Sequence, residues 1–348
     1  MPHRERPFPD DHPYNVLVTA FGPYHMPGPN PSWLAVKPME GLHIVDGVRH
    51  PVRIQTLQIP VSYATVLDII PPLHAVPPVV AEGVELIPPL EGYDLFLHVG
   101  AMGRGPLRIE MVGHRRGYNI KDYAGNLAPK IEDRKDTAHI EEVQEPVVHI
   151  IPSSQFGQQQ RADARRDEAD DDILVLNSEG KGLLQPAGPS VVQIIQPKSQ
   201  ENGDDGVLDL GGASKQKEVV HPPVRGYNRT WENFNLENDY HTGLPVKRMI
   251  QTIKQSGFDQ IYLSMDAGHY LGDFIYYTSL VEVAHKLTLR PNKYEKRRYP
   301  HVLCVHCPPV GEPLLTEDVT HALKMIVACI TREFQSMDDQ AAADQAAK

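Results

Sequence analysis

The sequence predicts an α/β protein of three layers, α/β/α, built on a mainly parallel central sheet. Short apolar, β-branched runs stop at glycine or proline, as buried parallel strands do. Segments with apolar residues at helical spacing lie between them. Strands that alternate with helices form a sheet covered on both faces. Tyr14 to Phe21 (YNVLVTAF), closed by Gly22-Pro23, is the first core strand. In Asn30-Pro31-Ser32-Trp33, asparagine supplies a capping oxygen and proline takes the first helical position, so a helix through Ala35 and Val36 follows. Val52 to Val61 alternates like a strand, Asp94 to Val99 is an apolar run closed by Gly100, and Leu107 to Val112 is a third of this type. Leu244 to Ser256 carries Val246, Met249, Ile250 and Ile253 on one helical face and ends at Gly257. Phe258 to Ser264 reads as a strand, and a helix from Gly268 aligns Leu271, Phe274, Ile275, Thr278 and Val281. Val302 to His306 is a further strand, and Thr316 caps a long last helix with Val319, Leu323, Ile326 and Ile330 inward.

Composition bounds the partners. The 348 residues, 41% hydrophobic and 23% charged, have room for a real core and fit neither a disordered chain nor a coiled coil. With 34 basic against 45 acidic residues the net charge is −11, which argues against a nucleic-acid partner. The three cysteines, Cys304, Cys307 and Cys329, form no disulfide framework and suit a reducing compartment, so the cytosol is the expected location. Residues 1–13 form a polar tail without the apolar run of a secretory signal. Prolines cut Val66 to Leu90, so no segment is expected to span a membrane.

A single domain over 14–335 is expected, interrupted by a largely disordered insertion at 127–225 and followed by a frayed tail at 336–348. Within the insertion, Arg161 to Asp172 carries nine charges in twelve residues, too few apolar groups to offset ordering entropy. Ile173 to Leu176 and Val191 to Ile195 are the pieces able to pair as a small hairpin. Leu289 to Tyr299 reads as a basic loop.

The chemistry concentrates in Ser264 to Leu280 (SMDAGHYLGDFIYYTSL), where a strand, a tight Asp266-Ala267-Gly268 turn and a helix start meet. Such a junction aims backbone N–H groups at one spot and stabilises a thiolate or an oxyanion. This segment resembles the pyroglutamyl peptidase I family of cysteine peptidases, whose motif runs Asp-Ala-Gly-Arg-Tyr-Leu-Cys-Asp and is followed by the Tyr-Tyr-Thr-Ser-Leu present here as Tyr276 to Leu280. Val18 to Tyr24 with Asn30 to Trp33 is similar to the family's N-terminal motif, with Ala20 for a usual glycine. His98-Val99-Gly100, Ile109-Glu110, Gly113-His114 and Gly117-Tyr118 are similar to the segment bearing the family's glutamate, and Cys304 to Pro309 to its Val-His-Val-Pro-Pro motif. The resemblance covers residues 14–126 and 225–335.

The resemblance implies a phosphorylase/hydrolase-like α/β/α fold, no cofactor, and removal of N-terminal pyroglutamate from peptides by a Cys-His-Glu triad. It places His306 as the base, Glu110 as the carboxylate that orients it, and Gly272 at the nucleophile position. Glycine has no side chain with which to attack a carbonyl. Cys304 lies two residues before His306 on the same strand face, with its Cα displaced along the strand from the helix end; Cys307 points to the opposite face. Both read as small buried hydrophobes. Asp273 reads as a polar helix residue and Asn30 as a cap.

For substrate, the resemblance implies that Phe21 and Tyr24 sandwich a pyroglutamyl ring, while Tyr270 and Leu271 add backbone and packing contacts beside Gly272. The alternative for all four is plain core packing. Gly100 to Gly105 lacks the spacing of a dinucleotide loop, and the sequon Asn228-Arg229-Thr230 matters only in a secreted chain. The 17 histidines show no His-x-x-x-His pair beside acidic residues, so no metal site is expected, and His114 reads as a structural hydrogen-bonder whose place near Glu110 leaves a minor active-site role open. Two readings stay open: an omega-peptidase whose nucleophile is missing from this chain, and a pseudoenzyme that keeps the fold as a pyroglutamyl-peptide-binding or regulatory protein.

Overall fold

The computed structural model describes residues 12–24, 28–131, 175–176, 182–183, 223–289 and 299–346. All of them fall in one compact unit made of residues 1–132, 173–184 and 223–348. Strand β1 (Tyr14–Phe21) lies in the interior of its sheet, buried at all eight positions and paired in parallel on both sides. One neighbour is β3 (Val52–Ile59), in register from Tyr14↔Val52 to Phe21↔Ile59; the other is β4 (Leu95–Ala101), from Val16↔Leu95 to Ala20↔Val99. Beyond β4 lies β11 (His301–Cys307), also parallel. Next comes β5 (Leu107–Glu110), which runs antiparallel to β11 and sets Cys304 opposite Glu110 and His306 opposite Arg108. β10 (Ile261–Ser264) follows parallel to β5. The edges are β2 (Gly41–His43), antiparallel on β3, and a hairpin of β7 (Val175–Leu176) and β8 (Gly182–Leu183) beside β10.

The predicted α/β/α layering is the observed one. Alternation along β1 sends Val16 and Val18 to one face and Leu17 to the other. The first face is covered by α1 (Pro31–Val36), α3 (Val246–Gln255) and α5 (Thr316–Ala346), through Ala35, Met249, Ile253, Leu323 and Ile330 among others. The second is covered by α2 (Tyr63–Leu73) and α4 (Leu271–Thr288), through Ile69, Ile70, Phe274 and Tyr277. Cys304 and Cys307 fall on opposite faces, as the strand period requires. Asn30 caps α1 through a 3.0 Å hydrogen bond from the Ser32 N–H, and Gly257, at φ 94°, lies just beyond the C-cap Ser256 of α3. Among the described residues no helix is long and apolar enough to cross a membrane.

Several expectations are corrected. Helix α2 was hidden by Pro71 and Pro72, which sit in its last turn; their missing N–H groups deprive only the carbonyls of residues 67 and 68, which the end of a helix tolerates. The run expected from Leu107 to Val112 divides at Met111 into β5 and β6 (Val112–His114), because Met111 N–H turns to the Ser264 carbonyl and β6 pairs instead with β9 (Asp239–His241). The hairpin partner of residues 175–176 is 182–183, a closer segment with less closure entropy than 191–195, which lies outside the described residues. Residues 129–131 bond to residues 224–226 at both margins of the expected insertion, whose interior lies outside the described residues apart from the β7–β8 pair. The segment 290–298 lies outside them too. Thr316 opens α5 rather than capping it, and Asp318 accepts the Leu315 N–H at 3.1 Å. Finally, α5 continues through residues 336–346, where fraying was expected: Tyr14 donates to Asp338 at 2.7 Å, Arg49 pairs with Asp339, and alanines favour the helix.

Candidate active site

Glu110 closes β5 and His306 lies near the end of β11. The antiparallel register makes them diagonal neighbours on one sheet face, within reach of long side chains. His306 Nδ1 stands 2.8 Å from Glu110 Oε1, and both side chains are buried. A carboxylate only accepts, so the proton of the neutral ring is held on Nδ1 and the Nε2 lone pair faces away from Glu110. The other oxygen, Glu110 Oε2, is buried without a hydrogen-bond partner.

Two glycines make room for the imidazole. A Cβ added at Gly100, on β4, would fall 2.6 Å from His306 Cδ2, and one added at Gly272, in the first turn of α4, would fall 2.3 Å from His306 Nε2. The structure thus brings Glu110, His306 and Gly272 together. A side chain at 272 has no free space to enter, since the ring already fills it. In sequence Gly100 reads as a strand stop and as part of the His98-Val99-Gly100 motif; its part in this fit is visible only in three dimensions.

Cys304 also departs from expectation. Its Sγ lies 3.8 Å from the Gly272 carbonyl oxygen, beneath the helix start rather than away from it, because α4 crosses over β11. Burial, reinforced by the Glu110 and Asp273 carboxylates, pushes its thiol well above the ordinary range, so it is a poor source of thiolate.

Asp273 lies in α4 as a polar helix residue, and a completely buried one. Its two oxygens accept from the backbone N–H and the Nδ1 of His114, each at 2.9 Å. Burial works to lower the His114 pKa, but the hydrogen bond and charge of Asp273 leave it raised overall. His269 joins the same cluster, with Nδ1 3.5 Å from Asp273 Oδ2. Sequence reasoning missed this grouping because its members come from β6, the turn before α4, and α4 itself. A signal existed in the histidine that stands where the resembling motif has arginine.

The four residues assigned to substrate divide. Phe21 and Leu271 are buried in the hydrophobic cluster beneath α2 and α4. Tyr24 and Tyr270 are half-buried, their ring centroids 5.7 Å apart, with Tyr63 edge-on to Tyr270 at 6.1 Å. The Tyr270 hydroxyl donates to the Lys121 carbonyl, and that of Tyr63 to the Ile120 carbonyl.

The fold and site define an α/β/α protein with a buried histidine–glutamate pair set against the N-terminus of a helix. The chain is similar to pyroglutamyl-peptidase 1 of Rattus norvegicus and of Homo sapiens, each 35% identical over 108 residues. These matches cover 31% of this chain and 43% of the relatives, so the chain matches less than half the length of those proteins. The resemblance to the pyroglutamyl peptidase I family carried by the sequence motifs is therefore shared with curated proteins. No family model matches. Among solved structures, pyroglutamyl peptidase I from Bacillus amyloliquefaciens superposes with a TM-score of 0.46 at 18% identity, covering 92% of this chain and 95% of that one. A mutant pyrrolidone carboxyl peptidase from Pyrococcus furiosus gives 0.47 at 17% identity, covering 92% and 98%.

Proposed function

We propose that this chain is a pyroglutamyl-peptidase-I-like protein that retains the base and its orienting carboxylate, lacks the nucleophile, and binds N-terminal pyroglutamyl peptides without covalent turnover. The observation that carries this reading is the meeting of His306 Nε2 with Gly272 at 2.3 Å from any Cβ there. A thiol route requires a sulfur beside that nitrogen, so that the base takes the thiol proton as sulfur attacks the lactam-linked carbonyl, and later returns a proton to the leaving amine. With glycine at 272 the first bond has no atom to form it. Cys304 offers none, since its burial disfavours the thiolate. His306 and Glu110 are left to polarise water unaided, a far weaker route.

The lactam is small, uncharged and flat, and the half-buried Tyr24–Tyr270 pair beside the helix start supplies an apolar, amphipathic surface of the kind such a ring prefers. Calorimetric titration of a pyroglutamyl dipeptide amide against its prolyl counterpart tests binding, and a fluorogenic pyroglutamyl amide tests turnover. The reading expects preference for the pyroglutamyl compound and no thiol-sensitive hydrolysis. Hydrolysis by wild type that iodoacetamide abolishes overturns it, as does equal affinity for both peptides.

A further inference from the structure

We propose that His114, His269 and Asp273 form a binding site for a divalent transition-metal ion of the zinc class. The inference does not rest on the reading of the His306 site. The three donor atoms all lie within 4.8 Å of one another. Asp273 Oδ2 is 2.9 Å from His114 Nδ1 and 3.5 Å from His269 Nδ1. A tetrahedral zinc with bonds of ~2.0–2.1 Å holds its ligand atoms roughly 3.3 Å apart, and these two edges bracket that value. The ligand types, two imidazoles and one carboxylate, are those that borderline ions such as zinc select.

The plain alternative is that Asp273 and His114 make a structural hydrogen bond and nothing more. That accounts for His114 and leaves His269 idle. Yet His269 Nδ1 is shielded from solvent, makes no hydrogen bond, and faces the shared carboxylate. Its backbone sits at φ 46°, a left-handed conformation that costs energy in a non-glycine residue, directly after Gly268 at φ 87°. The ring packs over Gly117, where an added Cβ would come 3.1 Å from Nδ1. A strained turn and a bare glycine thus hold an unpartnered nitrogen against a buried carboxylate.

The surroundings fit a bound cation. The second oxygen, Asp273 Oδ1, accepts the His114 backbone N–H at 2.9 Å and fixes the carboxylate plane, an outer-shell role. The carboxylates of Asp239 and Asp266 are close enough to act on His114 and add negative potential. The His269 side chain is 45% exposed, so the cluster lies near the protein surface, within reach of an ion from solvent. Three protein ligands leave the fourth position of a tetrahedral ion to water, the pattern of zinc sites that do chemistry rather than only brace a fold. On binding, the neutral His114 ring moves its proton from Nδ1 to Nε2; a charged ring releases one proton to solvent.

The test uses the full chain, stripped with chelator and titrated with zinc chloride by calorimetry and with cobalt(II) by visible absorption. Wild type is expected to bind one equivalent more than His269→Arg, which replaces a donor lone pair with a cation, and to show a tetrahedral cobalt spectrum that the variant lacks. The affinity at this site is expected to fall by more than the roughly 10–100-fold that loss of an outer-shell partner costs. Asp273→Asn is expected to lose the site as well. Because Asp273 is buried and this variant can fail to fold, the half-exposed His269 carries the decision. Equal stoichiometry and spectra for wild type and His269→Arg, or no cobalt band in wild type, overturn the proposal.

Discussion

His306 and Gly272 exclude each other's side chains: a Cβ at 272 would lie 2.3 Å from His306 Nε2. Helix propensity alone favours Gly272→Ala by up to ~1 kcal/mol. Overpacking against a buried, hydrogen-bonded ring opposes it by about 1–3 kcal/mol, so the net effect is expected to be destabilising. Urea unfolding of Gly272→Ala decides the sign, and a variant more stable than wild type refutes the fit described here. Gly272→Cys should carry a similar cost, because a thiol there must push the imidazole back to make a sulfur–nitrogen pair. It is expected to gain slow, iodoacetamide-sensitive hydrolysis of a pyroglutamyl amide that Gly272→Cys/His306→Ala lacks. Activity that survives loss of His306 would remove the histidine from the mechanism.

Glu110 depends on His306 in turn. Removing the ring leaves a carboxylate with no side-chain partner at either buried oxygen. His306→Ala is therefore expected to lose about 1–3 kcal/mol or more, as when a buried acceptor is left without its donor. In the His306→Ala background, Glu110→Gln should restore part of that loss, since the buried charge is gone. Additive losses in the double variant, measured by denaturant unfolding, count against the coupling.

Stability should fall on mild acidification, because two histidines are buried uncharged. Thr19 Oγ1, His98 Nδ1 and Nε2, Ser279 Oγ and His74 Nε2 form a chain with spacings of 2.8, 2.7 and 3.0 Å. Burial pushes His98 down to about 3 and His74 well below its ordinary 6.5. Their contribution is present above pH 6.5 and is lost as pH falls from there toward the folded values, since only the unfolded chain takes up the protons. Glu282 acts oppositely: burial lifts it to about 7, so its contribution is full below 4.5 and lost as pH rises to 7. Between 4.5 and 6.5 two protons favour unfolding and one favours folding, a net slope of about 1.4 kcal/mol per pH unit from these groups. Glu282→Gln is expected to steepen the acid loss by up to about that amount. An unchanged or flatter stability profile in that variant contradicts the assignment.

The last helix is anchored by packing more than by its polar end. Phe334 is fully buried, edge-on to Tyr14 at 5.7 Å, whereas Asp338 lies on the polar side and accepts a hydrogen bond from the Tyr14 hydroxyl. Phe334→Ala is expected to cost about 3–5 kcal/mol and Asp338→Ala about 0.5–1.5 kcal/mol. Thermal melts that rank them the other way would show that the polar contacts carry this end of α5.

The sequence by itself determined the layers and most strands. Tyr14–Phe21 reads as a core strand because it is a short, largely apolar and β-branched run stopped by Gly22-Pro23, and the Asn30-Pro31 cap and the Gly257 stop are written in residues whose backbone preferences are local. It also showed which residues resemble a peptidase site, because those motifs are short and contiguous. Helix α2 was illegible for a local reason too, since Pro71 and Pro72 in its last turn break the helical pattern although Ser62 caps its start. Tertiary structure decided what distance along the chain conceals. Glu110 and His306 meet only because β5 and β11 run antiparallel in one register. His114, His269 and Asp273 meet only because a left-handed turn swings a histidine over a glycine toward the start of α4. Whether residue 272 has space for a side chain depends on where an imidazole 34 positions later comes to rest. No local propensity encodes that, because packing is settled only when separate elements compete for the same volume.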